Sequence, residues 1–190
     1  MLDEKVIVFV GMPGAGKSVC VDYLKAKNIP SVYFGGITIN EVKKRGMEVS
    51  EASEKFVRED IRKKEGNGAY AVRMIKQIEE LFEQGKKYVV ADGLYSWTEY
   101  KIFKDSFGDR AIIIALATPR KDRHQRLQNR PVRPLTEEEV SSREYAEIEN
   151  LEKGGPIANA DYFLTNVGSV EGLQKDLESL LDKLKITPST

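Results

Sequence analysis

The chain has few of the residues that disulfides, cysteine-rich metal sites and histidine catalysis require. Its 190 residues include one cysteine and one histidine. A single cysteine, Cys20, excludes an internal disulfide framework and a cysteine-rich zinc site, and its place on a predicted helix favours buried packing over reactivity. The single histidine, His124, lies in a run of arginines. We interpret it as a surface or ligand-adjacent residue and not as a catalytic base.

The chain also lacks an excess of charge and a long apolar run. Its 30 Lys and Arg residues balance 30 Asp and Glu residues, so no overall field attracts it to nucleic acid or to a membrane. The first apolar run, residues 6–10, follows Asp3 and Glu4 and is too short for a signal peptide or a membrane span. We therefore expect a cytoplasmic protein, a monomer or small homo-oligomer, with neither nucleic acid nor membrane as a partner.

Short apolar segments that alternate with helical stretches indicate an α/β protein. Each segment has a dense apolar centre, which predicts a mostly parallel five-stranded sheet with helices on both faces. No repeat, low-complexity tract or linker divides the chain, so residues 1–190 are predicted to form one domain. The predicted strands are 6–10, 31–34, 87–92, 110–117 and 161–166, and the predicted helices include 18–28, 54–64, 69–84 and 170–184.

The stretch GMPGAGKS, residues 11–18, has the G-x-x-x-x-G-K-S pattern of a phosphate-binding loop, the Walker A motif. Its glycines allow the tight backbone that converging N–H groups need, and the helix N-terminus that follows favours an anion. A chance glycine-rich turn is the alternative, but the order of strand, loop and helix favours phosphate. The pattern predicts ATP and Mg²⁺ as cofactors, with Lys17 on the β- and γ-phosphates and Ser18 on the metal. The predicted nucleotide contacts in the loop are Gly11, Pro13, Gly14, Ala15, Gly16, Lys17, Ser18 and Val19.

An arginine-rich segment follows the fourth predicted strand. On a helix that begins at Pro119, residues Arg123, Arg126 and Arg130 share a face because they are three and four positions apart. Prolines at 131 and 134 end this helix, and Thr136 with Glu139 predicts a capping box that starts the next one.

Two interpretations of this segment remain open. It is either a solvated basic face paired with the acidic residues 137–139, or a lid that supplies fixed positive charge to a phosphoryl transition state. A lid over residues of about 119–152 also excludes water, which a kinase needs in order not to waste ATP. With it, the sequence predicts a P-loop NTPase fold that carries a short helical lid.

Four stretches together resemble the dephospho-CoA kinase and nucleoside monophosphate kinase (adenylate kinase-like) group. They are GMPGAGKS, RHQRLQNR (123–130), SSREY (141–145) and ADYFLTNVGSVEGL (160–173). The resemblance implies ATP-dependent phosphoryl transfer to a nucleotide-like small molecule, either dephospho-CoA or a nucleoside monophosphate. It further implies that Arg126 packs on the adenine, that Arg130 contacts phosphates, and that Arg143 reaches the transferred group.

The chain departs from this group where the acceptor is expected. Members carry an aspartate after the second strand, whereas this chain has Gly35 and Gly36. In ADGLYS, residues 91–96, Tyr95 replaces the arginine of the adenylate kinases. We expect Asp92 to hold Mg²⁺ through water or to polarise the acceptor, and the alternative is a strand-end Asp-Gly turn. The predicted catalytic residues are therefore Lys17, Asp92, Arg130 and Arg143, and the predicted metal ligands are Ser18 and Asp92.

Three further arginines lie in the segment of about 37–85, where acceptor-binding helices are expected. Arg58 and Arg62 are one helical turn apart, and Arg73 follows a pair of glycines. We predict that these three hold a phosphate of the acceptor, and a solvated helix face is the alternative.

Two other classes of function compete with a kinase. A regulatory GTPase is disfavoured, because the guanine-reading N-K-x-D motif is absent and the D-x-x-G at 105–108 follows a helix rather than a strand. A nucleotide-binding regulatory ATPase with little or no kinase turnover is the other, and the glycines at 35 and 36 favour it.

Overall fold

The computed structural model describes residues 4–131 and 134–187. Five parallel strands form its sheet, in the order β2-β3-β1-β4-β5. On the central strand, Ile7 is in register with Val90 of β3 on one side and with Ile112 of β4 on the other. The predicted five-stranded parallel sheet is confirmed. The strands are β1 Lys5–Val10, β2 Ser31–Tyr33, β3 Tyr88–Asp92, β4 Ala111–Ala117 and β5 Tyr162–Thr165.

Helices cover both faces of the sheet, as predicted. They are α1 Lys17–Ala26, α2 Phe34–Lys44, α3 Glu51–Glu65, α4 Ala69–Glu83, α5 Trp97–Phe107, α6 Arg120–Gln128, α7 Glu137–Glu149, α8 Gly154–Ala158 and α9 Val170–Lys183, with a 3₁₀ turn at Gly108–Arg110. Side chains along β1 alternate between the two faces. Val8 points into the core layer built with α2 to α5, and Phe9 into the layer built with α1 and α9.

The lone cysteine lies in the second of these layers. Cys20 is fully buried between the sheet and α9, and burial raises the pKa of its thiol to about 12. A thiol that stays protonated is a poor nucleophile. The predicted packing role of Cys20 is therefore confirmed.

Several boundaries differ from the sequence-based expectation, and for two of them the structure shows the cause. The second strand ends at Tyr33, one residue earlier than predicted, because Phe34 opens α2 and stacks on Tyr70 with ring centroids 4.3 Å apart. Helix α3 begins at Glu51 instead of 54, since the Ser50 hydroxyl accepts a hydrogen bond from the Ser53 N–H and caps it. Helix α2 falls largely in the segment of about 37–85 where helices were expected, but its bounds were not predicted, because its glycines and β-branched residues have low helix propensity.

The predicted break between two arginine-bearing helices is present. Helix α6 ends at Gln128, and α7 begins after the cap at Thr136, whose hydroxyl accepts the Glu139 N–H at 3.2 Å. Residues 132 and 133, inside the predicted lid, lie outside the described residues. Over the described part of the chain, none of the helices combines the length and the apolar character that a membrane crossing needs.

Candidate active site

The phosphate loop joins β1 to α1, and two of its glycines are required by close neighbours. Gly14 and Gly16 have positive φ angles of 77° and 101°. A Cβ on Gly14 would lie 2.7 Å from the Arg123 carbonyl oxygen, and one on Gly16 would lie 2.1 Å from the Asn166 side-chain nitrogen. The loop therefore packs directly on α6 and on the end of β5, and no larger residue fits at either position.

Side chains hold the outward-facing carbonyl groups of this loop. Every carbonyl from residue 11 to residue 15 accepts a side-chain hydrogen bond. A loop whose carbonyls are bound on one side presents its N–H groups as an anion-binding concavity on the other. The donors are Lys17 to Gly11 and Met12, Arg123 to Pro13, Arg126 to Gly14, and both Thr118 and Asn166 to Ala15.

A cavity of about 730 Å³ opens above the loop at the carboxyl ends of the strands. Ten of the residues predicted to act in the site line it: Pro13, Gly14, Gly16, Lys17, Ser18, Val19, Asp92, Arg126, Arg130 and Arg143. Gly11 and Ala15, which belong to the same loop, are buried and do not line the cavity. The rest of the lining is Tyr33, Tyr95, Leu127, Glu147, Lys153, Asn166, Gly168, Ser169, Val170 and Leu173.

Lys17 is one of the charged residues that line the cavity. Its Nζ donates to the carbonyl oxygens of Gly11 at 2.8 Å and Met12 at 3.2 Å. Burial, and then the positive charge of Lys153, lower the pKa of Lys17 to about 7. An anion entering the cavity reverses this effect, because it favours the charged amine.

The Ser18 hydroxyl and the Asp92 carboxyl belong to residues that line the same cavity. Burial raises the pKa of Asp92, and the neighbouring Lys17 opposes that rise. The described residues contain no group of three or more His, Cys, Asp or Glu side chains arranged around a metal. One hydroxyl and one carboxylate nevertheless fit Mg²⁺, which keeps several waters and takes other ligands from substrate phosphates.

Asp92 also begins the Asp-Gly turn that the sequence offered as the alternative to a role in binding metal or acceptor. Gly93 follows it with a φ of 118°, and a Cβ there would lie 2.6 Å from the Tyr95 ring and 2.7 Å from the Phe34 side chain. The Asp-Gly turn thus places Asp92 in the cavity and lets the chain leave the sheet tightly. The two interpretations describe the same geometry.

Arg126 on α6 reaches the cavity, and so does Arg130, which lies two residues beyond the end of that helix. The prediction that Arg130 lies on the same helix face as Arg126 is therefore wrong. Arg126 donates from Nη2 to the Asn166 carbonyl oxygen at 3.0 Å, which joins α6 to the end of β5. Arg130 lines the same space. On α7, Arg143 donates from Nε to Glu147 Oε1 at 3.1 Å and faces the cavity as well. The structure therefore brings all three together with the phosphate loop.

Arg123 and His124 do not behave as the sequence predicted. Arg123 turns away from the cavity that Arg126 and Arg130 line, and forms a close ion pair with Glu144. His124 is buried, and its Nε2 lies 3.0 Å from Glu144 Oε2, so its prediction as a surface or ligand-adjacent residue is wrong. The cause is Glu144, an α7 carboxylate that also pairs with Arg120 Nε at 3.0 Å. Glu144 thus pairs with three side chains of the basic helix.

The three arginines predicted to bind the acceptor lie outside the main cavity. Arg58 is 3.6 Å from Glu54 on its own helix, and Arg62 lies over the Tyr70 ring at 5.3 Å. Arg73 pairs with Glu65 at 2.5 Å and with Glu41 at 3.6 Å. Arg62 lines a second, polar cavity of about 240 Å³ with Asn67, Ser96, Thr98 and residues 149–152.

The sequence assigned no role to ten of the cavity residues, and four of these ten are aromatic or charged. Tyr33 ends β2, Tyr95 follows β3, and Glu147 and Lys153 form a close ion pair behind them. Tyr95 was noticed only as the replacement of an arginine. The sequence positions of Tyr33 and Glu147 could have indicated a role. Tyr33 ends a strand at the edge of the sheet where ligands bind, and Glu147 lies one helical turn beyond Arg143. The position of Lys153, which precedes a Gly-Gly-Pro sequence, gives no such indication.

Together the parallel sheet, the phosphate loop after its first strand and the arginine-bearing helices beside that loop give the fold of the P-loop kinases. The protein-family model described as an AAA domain matches residues 7–149 of the chain. Over 182 residues the chain is 34% identical to the UPF0200 protein of Thermococcus kodakarensis, a match that covers 94% of this chain and 97% of that protein. The chain therefore belongs to the UPF0200 family and carries an AAA domain.

Solved structures share the architecture. The shikimate kinase of Acinetobacter baumannii, in complex with shikimate, is 21% identical with a TM-score of 0.58, covering 97% of this chain and 96% of that one. The dephospho-CoA kinase of Campylobacter jejuni is 13% identical with a TM-score of 0.57, covering 96% and 98%. At these identities the similarity establishes the fold.

Proposed function

We propose that the protein is an ATP-dependent kinase that phosphorylates a nucleotide-like small molecule, either dephospho-CoA or a nucleoside monophosphate. The observation that carries the proposal is the meeting of Lys17, Asp92 and the lid arginines in one cavity. A phosphoryl transition state needs fixed positive charge on its oxygens and a positioned acceptor, and little covalent chemistry. Lys17, Arg126, Arg130 and Arg143 supply the positive charge, and Asp92 is placed to position the acceptor.

The nucleotide occupies the half of the cavity between the phosphate loop and α9. Loop N–H groups and Lys17 bind the phosphates, and Ser18 with Asp92 would hold Mg²⁺, which neutralises phosphate charge when bound. The base lies against the guanidinium plane of Arg126, opposite the apolar Val170 and Leu173. Lid closure by α6 and α7 excludes water from this half.

The acceptor occupies the half that Tyr33, Asp92 and Tyr95 line. Asp92 polarises the acceptor hydroxyl by accepting its hydrogen bond, or would hold Mg²⁺ through water, while Arg130 and Arg143 stabilise the transferred group. For Arg58, Arg62 and Arg73 we retain a role at the far end of the acceptor. Each must then exchange its present contact for a phosphate.

The proposal is tested by the release of ADP from Mg-ATP with a panel of dephospho-CoA, AMP, CMP, UMP and GMP. We expect ADP release that depends on one of these acceptors and that disappears in Lys17→Met. Release that no panel member stimulates, together with phosphorylation of an unphosphorylated metabolite, contradicts a nucleotide-like acceptor. A folded Lys17→Met protein with wild-type turnover contradicts the kinase assignment itself.

A second candidate is a nucleotide-binding regulatory ATPase or GTPase with little or no kinase turnover. The observation that favours it is the start of α2, where Gly35 and Gly36 stand directly after β2 and supply no carboxylate. Tight nucleotide binding with no acceptor-dependent turnover would select this candidate. A comparison of ATP with GTP in the same binding assay then separates an ATPase from a GTPase.

A further inference from the structure

Lys153 is a fully buried lysine that lines the main cavity. Its side chain is 1% exposed, and its amine lies 4.6 Å from the centre of the Tyr95 ring. Among the described residues its Nζ has one hydrogen-bond partner, Glu147 Oε2. An ammonium group has three N–H donors. Two of them thus remain for a group that enters the cavity.

The backbone around Lys153 is fixed from three directions. Its N–H donates to the Glu147 carbonyl oxygen at 3.2 Å, and the Trp97 N–H donates to the Leu151 carbonyl oxygen at 3.1 Å. A Cβ on Gly155 would lie 2.7 Å from the Trp97 ring, so the chain packs closely there. These contacts orient the lysine in advance, which lowers the entropic cost of binding a ligand.

The charges around the cavity leave room for a further anion. Five cationic side chains line it, namely Lys17, Arg126, Arg130, Arg143 and Lys153, against the two carboxylates Asp92 and Glu147. Mg-ATP brings about two net negative charges to such a site. The count leaves about one positive charge in the cavity, and Lys153 is the cation whose amine adjoins Tyr95.

A purely structural ion pair explains these features less well. A buried pair contributes little net stability, because desolvation of both charges offsets their attraction. Here the cation is also placed where it lowers the pKa of Lys17. Two like charges in one cavity are unfavourable until an anion enters.

From this geometry we propose that Lys153 binds an oxyanion carried by the acceptor, a phosphate or a carboxylate, and that Glu147 is its counter-ion while the acceptor is absent. This inference rests on the proposed kinase function and names the chemical group that the acceptor presents. The oxyanion has two possible sources, the acceptor and the γ-phosphate of ATP. We assign it to the acceptor because Lys153 contacts Tyr95 and Glu147 and makes no hydrogen bond to the phosphate loop.

Inorganic phosphate is the probe that tests this site. Its affinity is measured by calorimetry on protein saturated with Mg²⁺ and the β,γ-imido analogue of ATP, so that the γ-phosphate position is already filled. We expect Lys153→Met to weaken phosphate binding at least tenfold and to leave the affinity for the analogue unchanged. Lys101→Met is the matched control, since Lys101 lies over the Trp97 ring at 5.9 Å but is exposed and outside the cavity.

Removal of the counter-ion Glu147 should have the opposite effect on phosphate affinity. In Glu147→Gln we expect tighter phosphate binding, and a larger rise of the melting temperature with phosphate than in wild type, because the uncompensated Lys153 gains a partner. The double variant Lys153→Met/Glu147→Gln removes both charges, keeps the fold, and no longer binds phosphate. A structural pair instead predicts destabilisation in both single variants with no dependence on phosphate.

The outcomes separate this inference from the kinase proposal. Equal phosphate affinity in wild type and Lys153→Met overturns the inference, as does an equal loss of affinity for the ATP analogue. Phosphate binding seen with Mg-ADP but absent with the imido analogue assigns Lys153 to the γ-phosphate and overturns it too. If the analogue fails to bind wild type, the kinase proposal fails, and the phosphate titrations without nucleotide still decide the role of Lys153.

Discussion

The side-chain nitrogen of Asn166 donates a hydrogen bond to the carbonyl oxygen of Ala15 at 2.8 Å, across 151 positions of the chain. This bond joins the end of β5 to the phosphate loop, and the Cβ that Gly16 lacks would collide with the same nitrogen. Asn166 is itself held, since Arg126 donates to its carbonyl oxygen at 3.0 Å. The shape of the loop thus depends on a residue from the last strand.

We expect Asn166→Ala to weaken binding of the imido analogue of ATP about fivefold, since one loop contact worth about 1 kcal/mol is lost while Thr118 still donates to Ala15. Asn166→Asp should weaken it further, because it places a carboxylate near the phosphates. Titration calorimetry measures both. Asn159→Ala is the control, as Asn159 makes a similar bond to Gly155 at 3.0 Å outside the cavity. Equal affinity in wild type and Asn166→Asp would contradict the role.

The pKa of Lys17 leads to a prediction about protons. Its pKa is lowered from 10.5 to about 7 without ligand, and bound phosphates favour the charged amine. At pH 8 nucleotide binding should therefore take up a proton, detected as a binding enthalpy that varies with the ionisation enthalpy of the buffer. Lys17→Met should bind more weakly and take up no proton. Proton release on binding to wild type would contradict this assignment.

Much of the fold was predictable from the sequence because two signals were strong. Buried strands such as residues 6–10 are apolar throughout, and the phosphate loop leaves little choice for the elements on either side of it. The bounds of helix α2 were not predictable, because its residues have low helix propensity. The packing of Phe34 on Tyr70 favours the helix instead. Local patterns do not contain that contact.

The candidate site was predictable where function follows from a motif or from the end of a strand. Lys17, Ser18 and Asp92 meet these conditions, and the structure places them in one cavity. The partners of Arg123 and His124 were not predictable, because Glu144 reaches them from another helix, about 20 positions further along the chain. Lys153 depends on a turn whose geometry the sequence does not reveal.

Arg126 and Arg130, the two arginines from α6 and the segment just after it that line the cavity, should have separable effects on kinetics. Arg126→Ala should mainly raise the KM for ATP, because it loses the surface on which the base packs and the bond to Gly14. Arg130→Ala should mainly lower kcat, since the charge that it faces grows in the transition state. A loss of roughly 3 kcal/mol of transition-state stabilisation is typical for one such donor. Wild-type values of both constants in both variants would leave the arginines without a catalytic role.

Removal of the Lys17 amine tests the phosphate loop most directly. Lys17→Ala should abolish phosphoryl transfer, an effect of about 3 kcal/mol or more, while the circular dichroism spectrum and the melting transition remain those of a folded protein. Lys25→Ala is a suitable control, since Lys25 lies on the same helix, is exposed and does not line the cavity. Turnover at the wild-type rate in folded Lys17→Ala would refute the assignment of the loop.

The last prediction concerns Glu99 and the dependence of stability on pH. It is fully buried at the start of α5, and its Oε2 accepts the N–H groups of Tyr95 at 2.8 Å and Ser96 at 3.0 Å. Its Oε1 has no hydrogen-bond partner in the described part of the chain. Burial raises the pKa of this carboxyl from 4.5 to about 7. Between these values the folded protein holds a proton that the unfolded chain has lost, so stability falls as the pH rises.

We therefore expect the free energy of unfolding to decrease between pH 4.5 and pH 7 by up to about 3 kcal/mol from this group. Glu99→Gln keeps an acceptor for both N–H groups and carries no charge, so its unfolding free energy should lack that decrease. Urea titrations at pH 5 and pH 8 measure the difference between the two proteins. Glu139→Gln is the matched control, because Glu139 occupies the same position in the exposed capping box of α7. If Glu99→Gln and wild type lose equal stability over this range, the buried carboxyl does not take up the proton and another group must account for the dependence.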